Sequence, residues 1–149
     1  MVIYNDIVYE ICRTIGSTEV ESGGIIGEKD GVISSYFFDH DAKRTSNEYY
    51  PNAGLLNEII EDWYYQGISF AGIVHSHPFG RRELSSDDIK YAKNILCHNC
   101  EITHHLYFPI VQISPETGAV ELLPYKLNRD KSLTLVNLKV FNRSDIFGA

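Results

Sequence analysis

The sequence predicts an α/β domain, a mixed β-sheet flanked by helices on its faces. Three observations lead there. Apolar residues recur at helical spacing over residues 6–15, 52–66 and 86–97, and β-rich apolar runs fall between and after these stretches. No repeat, low-complexity tract or Pro/Gly/Ser linker divides the chain. With 149 residues, 44% of them hydrophobic, one domain can bury a core without cross-links.

Taken in order, residues 6–15 place Ile7, Val8, Ile11, Cys12 and Ile15 on one helical stripe, with Asp6 as the cap and Gly16 as the stop. "GGIIG" then runs through "EKDG" into "VISSYFF", two β-rich runs around Asp30-Gly31, which predicts a hairpin over residues 21–38. A polar loop follows through residues 39–51. From 52 to 66, Leu55, Leu56, Ile59, Ile60, Trp63 and Tyr64 repeat at helical spacing until Gly67 ends the pattern. "ISFAGIVHSH" has few polar interruptions and predicts a strand buried on both faces, ending on two histidines. Ser85 or Ser86 caps a third helix with Ile89, Ala92, Ile95 and Leu96 as its stripe, reaching about Cys97. "LYFPIVQIS" and "AVELLPYKL" flank a Ser-Pro-Glu-Thr-Gly turn, a further hairpin, and "LTLVNLKVF" adds an edge strand.

The net charge of −7 argues against a nucleic-acid binder, because phosphate affinity rests on clustered Lys and Arg, and the basic knots are limited to Lys43-Arg44 and Arg81-Arg82. No apolar run approaches the length of a membrane span. The start of the sequence, "MVIYNDIVYEICRTIG", carries acids inside its apolar pattern and has no small-residue cleavage site. Three cysteines, with Cys12 far from Cys97 and Cys100, do not make a disulfide framework. A cytoplasmic protein is expected.

The chemistry concentrates in "GIVHSHPFGRRELSSDD", residues 72–88. Residues i and i+2 of a strand point to the same side, so His75 and His77 present two imidazoles together. Asp88 lies one turn into the third helix, with Ser85 three residues before it. If the loop of residues 78–84 folds back, two imidazoles and one carboxylate surround a point. That set leaves a tetrahedral Zn²⁺ one open position, as at catalytic zinc sites. The plainer alternatives are a capping box, Ser85-x-x-Asp88, and two hydrogen-bonded strand-end histidines. "ESGGIIG", residues 21–27, favours the metal reading: an acid opens the first long strand, and glycines permit close backbone approach.

With these parts the chain resembles the JAB/MPN (JAMM) zinc metalloproteases of the bacterial type. The pattern of that family is a glutamate before a Gly-rich apolar strand, then His-Ser-His, seven residues, Ser, two residues and Asp. Here it reads Glu21 with "SGGIIG", His75-Ser76-His77, Pro78 to Leu84, Ser85 and Asp88. The similarity covers about residues 5–125 of one domain spanning 1–149, with residues 129–149 left as an edge strand and tail. Leu84 departs from the proline that bacterial relatives often carry, which bears on loop rigidity. Glu19 is a rival for the acid, but Glu21 keeps the family spacing to the glycines.

The resemblance implies a cytidine-deaminase-like JAB/MPN fold. It also implies His75, His77 and Asp88 as ligands of one Zn²⁺, Glu21 as general base and Ser85 as hydrogen-bond donor to the developing oxyanion. The residue chemistry agrees with those roles: zinc lowers the pKa of a bound water to ~7, and a nearby carboxylate can relay its proton to a leaving amine. Ser76 should face the other side of the strand in a structural role. The expected substrate is a ubiquitin-like or sulfur-carrier protein, cut after its Gly-Gly tail in a groove formed by strand addition to Tyr36–Phe38. Tyr49 and Tyr50, in the loop near that edge, are read as core packing ahead of substrate contact. Oligomeric state is not legible.

The competing readings are a cupin, a general small-peptide hydrolase on the same zinc, and a non-catalytic MPN scaffold. The cupin is all-β and leaves the helical periodicities and "ESGGIIG" unused; the scaffold usually lacks ligands, and none is missing here. Cys97, Cys100, His104 and His105 offer a possible second zinc, although their spacing is tight. A deaminase would need a His-x-Glu element that this chain lacks.

Overall fold

A computed structural model describes residues 1–17, 21–44, 49–77, 90, 106–114, 116–128, 130 and 132–143. Strand β1 (Val2–Tyr4) leads directly into helix α1 (Asn5–Thr14), which ends in a 3-10 turn, Ile15–Ser17. The hairpin β2 (Gly23–Lys29) and β3 (Val32–Phe38) turns at Asp30 and Gly31, with φ of 54° and 82°. Two positive φ values in succession are the geometry of a tight hairpin, which Asp-Gly adopts at low cost. The predicted loop contains a two-stranded ribbon, β4 (Lys43–Arg44) and β5 (Tyr49–Tyr50). Helix α2 (Ala53–Tyr65) begins where the Asn52 side chain accepts from the Leu55 amide. Strand β6 (Ser69–His77) follows, then β7 (Leu106–Tyr107), β8 (Ile110–Ile113), β9 (Val120–Leu123), β10 (Tyr125–Leu127), β11 (Leu133–Leu135) and β12 (Lys139–Phe141). The third predicted helix falls almost wholly outside the described residues.

Asp6 is not the cap of α1. Tyr4 occupies that position in an extended conformation without a side-chain hydrogen bond, and Asp6 lies within the first turn. A carboxylate there still complements the positive end of the helix. It also meets Arg143, whose guanidinium lies 4.0 Å from the Tyr4 ring centroid and donates to the Ser34 carbonyl at 3.2 Å. Gly16 sits inside the 3-10 turn and does not stop the helix.

The sheet runs β11-β10-β7-β6-β2-β3-β1-β12, with β8 joined to β6 and β9 to β8. The predicted second hairpin is thus present in two halves, broken at Pro109 and Pro124, neither of which has an N–H for a ladder. The expected edge strand is instead two strands, one at each end of the order. Residues 136–138 alone connect Leu135 to Lys139, so these Cα atoms lie within about 15 Å, whereas a flat sheet of that width would separate them by about 34 Å. The sheet is therefore curled until its edges approach.

Adjacent residues on the central strands enter different cores. Ile26 and Val74 pack with Ile7, Ile11 and Ile15 of the α1 segment, whereas Ile25 and Ile73 pack with Leu56 and Trp63 of α2. Because strand side chains alternate, the two helices cover opposite faces of β2 and β6. Among the described residues, no helix is long and apolar enough to cross a membrane.

Gly72 shows how tightly the centre is built. Its φ is 151°, and a Cβ there would collide with the backbone carbonyl of Tyr107, its partner across β6 and β7. Gly31, with φ of 82°, has open space around it. Gly72→Ala is expected to destabilise the protein by about 2–5 kcal/mol, from steric displacement together with conformational strain. Gly31→Ala, with strain alone, should cost about 1–2 kcal/mol. Urea unfolding of both variants measures the difference.

Candidate functional site

The site lies at the C-terminal end of β6. Cross-strand pairing sets Gly23 opposite His75, and the ladder continues through Ser22 and Ser76, whose backbones join by Ser76 N–H donating to Ser22 O at 2.8 Å. Glu21 therefore comes level with His77. On the other side, β8 pairs in parallel with His75 at Ile110 and with His77 at Gln112, and Gln112 pairs with Glu121 on β9. Paired residues share a face, so His77, Gln112 and Glu121 form one row across three strands, with Glu21 just before β2 level with it, and Gly23, His75, Ile110 and Leu123 form the next across four. Both rows are on the α2 face: the alternation from Ile73 leads to His75 and His77, and Phe108 of the same core lies 5.1 Å from the His75 ring.

Glu21, His75 and His77 are all buried, His77 to 1% exposure. The imidazoles meet edge to face, with centroids 4.8 Å apart, and their Nε2 atoms approach to 3.1 Å. Two nitrogens at tetrahedral positions on zinc, each ~2.0–2.1 Å from the metal, stand about 3.3 Å apart. The observed separation fits a shared cation with little movement, and equally fits one N–H···N hydrogen bond between two neutral rings. The donor chemistry is appropriate, since neutral imidazole is a preferred zinc ligand.

Ser76 faces the α1 side, as the alternation requires. It is fully buried, and its Oγ accepts the Ser22 amide at 2.9 Å. With the reciprocal backbone bond, this ties the residue after Glu21 to the residue between the histidines. The role is structural: it holds the segment that follows Glu21 against the segment between the histidines.

The structure thus brings His75 and His77 together and sets the backbone of Glu21 level with His77. Ser85 and Asp88 lie outside the described residues, as do Glu19, Leu84, Cys97, Cys100, His104 and His105. Among the described residues, no group of three His, Cys, Asp or Glu side chains is arranged to hold a metal.

Tyr49 is partly buried in the α2 core, in keeping with the packing expected of it. Around the Tyr36–Phe38 edge, β1 pairs with β3 at Ile33 alone. The Tyr36 hydroxyl sits 2.7 Å from Thr14 Oγ1, and burial pushes its phenol pKa well above the usual value, which keeps the hydroxyl protonated. Its side chain anchors α1.

Residues that sequence reasoning missed are Gln112 and Glu121, on the histidine face, and Asp39. Alternation along "FPIVQI" marks Gln112 once the facing of Ile110 is known, but the sequence does not show that β8 lies beside β6. Asp39 reads from the sequence as part of the polar loop, yet its exposure is 0%.

No family model and no curated protein matches the sequence. The architecture does have relatives: a curled mixed sheet with two helices, in a JAB/MPN-like fold. It is similar to the solution structure of protein DSY2949 from Desulfitobacterium hafniense, with a TM-score of 0.73 at 14% identity over 95% of this chain and 93% of that one. It is also similar to AF2198, a JAB1/MPN domain protein from Archaeoglobus fulgidus, with a TM-score of 0.55 at 18% identity over 95% of this chain and 97% of that one. At such identities the likeness is one of fold.

Proposed function

We propose that the protein is a zinc-dependent peptidase or isopeptidase of the JAMM type, cutting the bond after the Gly-Gly tail of a ubiquitin-like or sulfur-carrier protein. The observation that carries this reading is the meeting of two buried imidazoles, Nε2 to Nε2 3.1 Å, with the buried residue Glu21 two positions before the strand paired with them. The JAB/MPN-like fold supports it. His75, His77 and Asp88 would hold the metal. Zinc bound there supplies a Lewis acid that polarises a carbonyl and acidifies water. Glu21 accepts the proton of the attacking water and delivers it to the leaving amine. Ser85 donates a hydrogen bond to the carbonyl oxygen as negative charge develops on it, a contact of a kind worth ~10²–10³ in turnover. A tail without side chains suits a narrow approach along the outer side of Tyr36–Phe38.

The test is a panel of ubiquitin-like fusions incubated with the protein, with and without chelator. Cleavage after Gly-Gly that chelator abolishes is expected. Remote contacts to a folded substrate contribute binding energy that a free peptide cannot supply. The fusion should therefore react much faster than its isolated tail, and added salt should shrink the advantage by screening this acidic surface. Equal rates on fusion and peptide would turn the reading into a general small-peptide hydrolase, and inertness with zinc bound would turn it into a scaffold.

A further inference from the structure

Asp39 directly follows β3, in a position that an acid rarely holds. It is fully buried, and its backbone N–H donates to the Gly23 carbonyl at 3.0 Å, which extends the β2 and β3 ladder to the residue opposite His75. One carboxylate oxygen, Oδ2, accepts from the Tyr49 hydroxyl at 2.7 Å and from the Asn52 amide at 2.8 Å. The other, Oδ1, is buried without a hydrogen-bond partner among the described residues. Burying a carboxylate with half of its acceptor capacity unused is unfavourable. A neutral polar side chain could have capped Asn52 more cheaply.

What the acid achieves is visible one strand inward. Gly23 has no side chain, and a Cβ built on it would collide with the ring of Tyr49. The ring thus occupies the side-chain slot of Gly23, and directly opposed positions on neighbouring strands stand with their Cβ atoms about 5 Å apart. Across the sheet the order is Asp39, then Gly23 roofed by the Tyr49 ring, then His75, with Glu21 two residues before β2 begins.

We propose that Asp39 and Tyr49 are positioning residues of the histidine site: Asp39 holds the Tyr49 ring in the slot that Gly23 leaves open, and the ring sets the attitude of the His75 imidazole. Gly23 is needed because any side chain would expel the ring. The inference rests on the zinc reading of the site but not on its hydrolytic activity.

The experiment measures zinc affinity by competition with a chromophoric chelator, and the visible absorption of the cobalt-substituted protein, for the full chain and for Tyr49→Phe and Asp39→Asn. Thermal unfolding is recorded alongside. Tyr49→Phe keeps the ring and removes its tether, so it should fold even if Asp39→Asn does not. The expected result is about tenfold or greater weakening of zinc binding with a changed cobalt band, the scale typical of residues that orient metal ligands. A merely structural role would lower the unfolding temperature and leave affinity and cobalt band unchanged in the folded variants; that result overturns the proposal. A full chain that binds zinc but cleaves nothing defeats the peptidase reading alone, whereas a full chain that binds no zinc defeats both.

Discussion

Glu21→Gln is expected to lower hydrolysis of a ubiquitin-like fusion by ~10²–10⁴ while leaving the zinc content of the protein unchanged. Glu21 is 6% exposed and, two residues before β2, its backbone is level with His77, so an amide of the same shape can occupy its place. What the amide cannot do is accept a proton from water. Loss of turnover with retained metal separates a base from a ligand, and elemental analysis of the same preparation supplies the second half of that statement. Near-normal activity in Glu21→Gln, combined with an inactive Glu19→Gln, would reassign the base to Glu19.

His77→Ala and Asp88→Ala are expected to reduce bound zinc from one per chain to near zero. His77 is among the most buried side chains of the protein, and its Nε2 is 3.1 Å from that of His75, so removing it leaves one imidazole facing a cavity. Zinc that binds only the folded state stabilises it by about 4 kcal/mol when free metal exceeds the dissociation constant a thousandfold. The unfolding midpoint of the parent protein should therefore rise with added zinc and fall with chelator, and both variants should lose that response. Full zinc in both would move the site, most directly to Cys97 and Cys100.

The elements most legible in the sequence are those whose determinants are local. Asp30-Gly31 supplies both positive φ values of a hairpin turn and is readable without knowledge of the rest, whereas the cap that Asn52 gives α2 is as local yet goes unnamed in the helical pattern. The common facing of His75 and His77 follows from strand period alone. What escaped were properties set by partners distant in sequence. Tyr4 runs straight from β1 into α1, because β3 and β12 flank β1, and this displaces the cap expected at Asp6. The neighbours of His77 on β8 depend on how two half-strands separated by Pro109 choose different partners. Asp39 reads as one more polar residue after a strand until the Tyr49 ring is seen over Gly23. The position of Asp88 in space rests on the sequence motif.

The pairing of β1 with β12 joins residues 2–4 to residues 139–141, a contact between almost the most separated parts of the described chain. Contacts of such sequence separation slow folding, because loop closure is opposed by chain entropy before any pairing compensates it. During synthesis, β1, α1 and the β2 and β3 hairpin all emerge long before either sheet edge is sealed. A ribosome that has released residues 1–132 presents β1 and β10 with open ladders, templates for pairing with another copy. The short stretch 133–141 closes both at once. Aggregation in the cell should therefore respond more steeply to substitutions in β11 and β12 than their small buried area suggests.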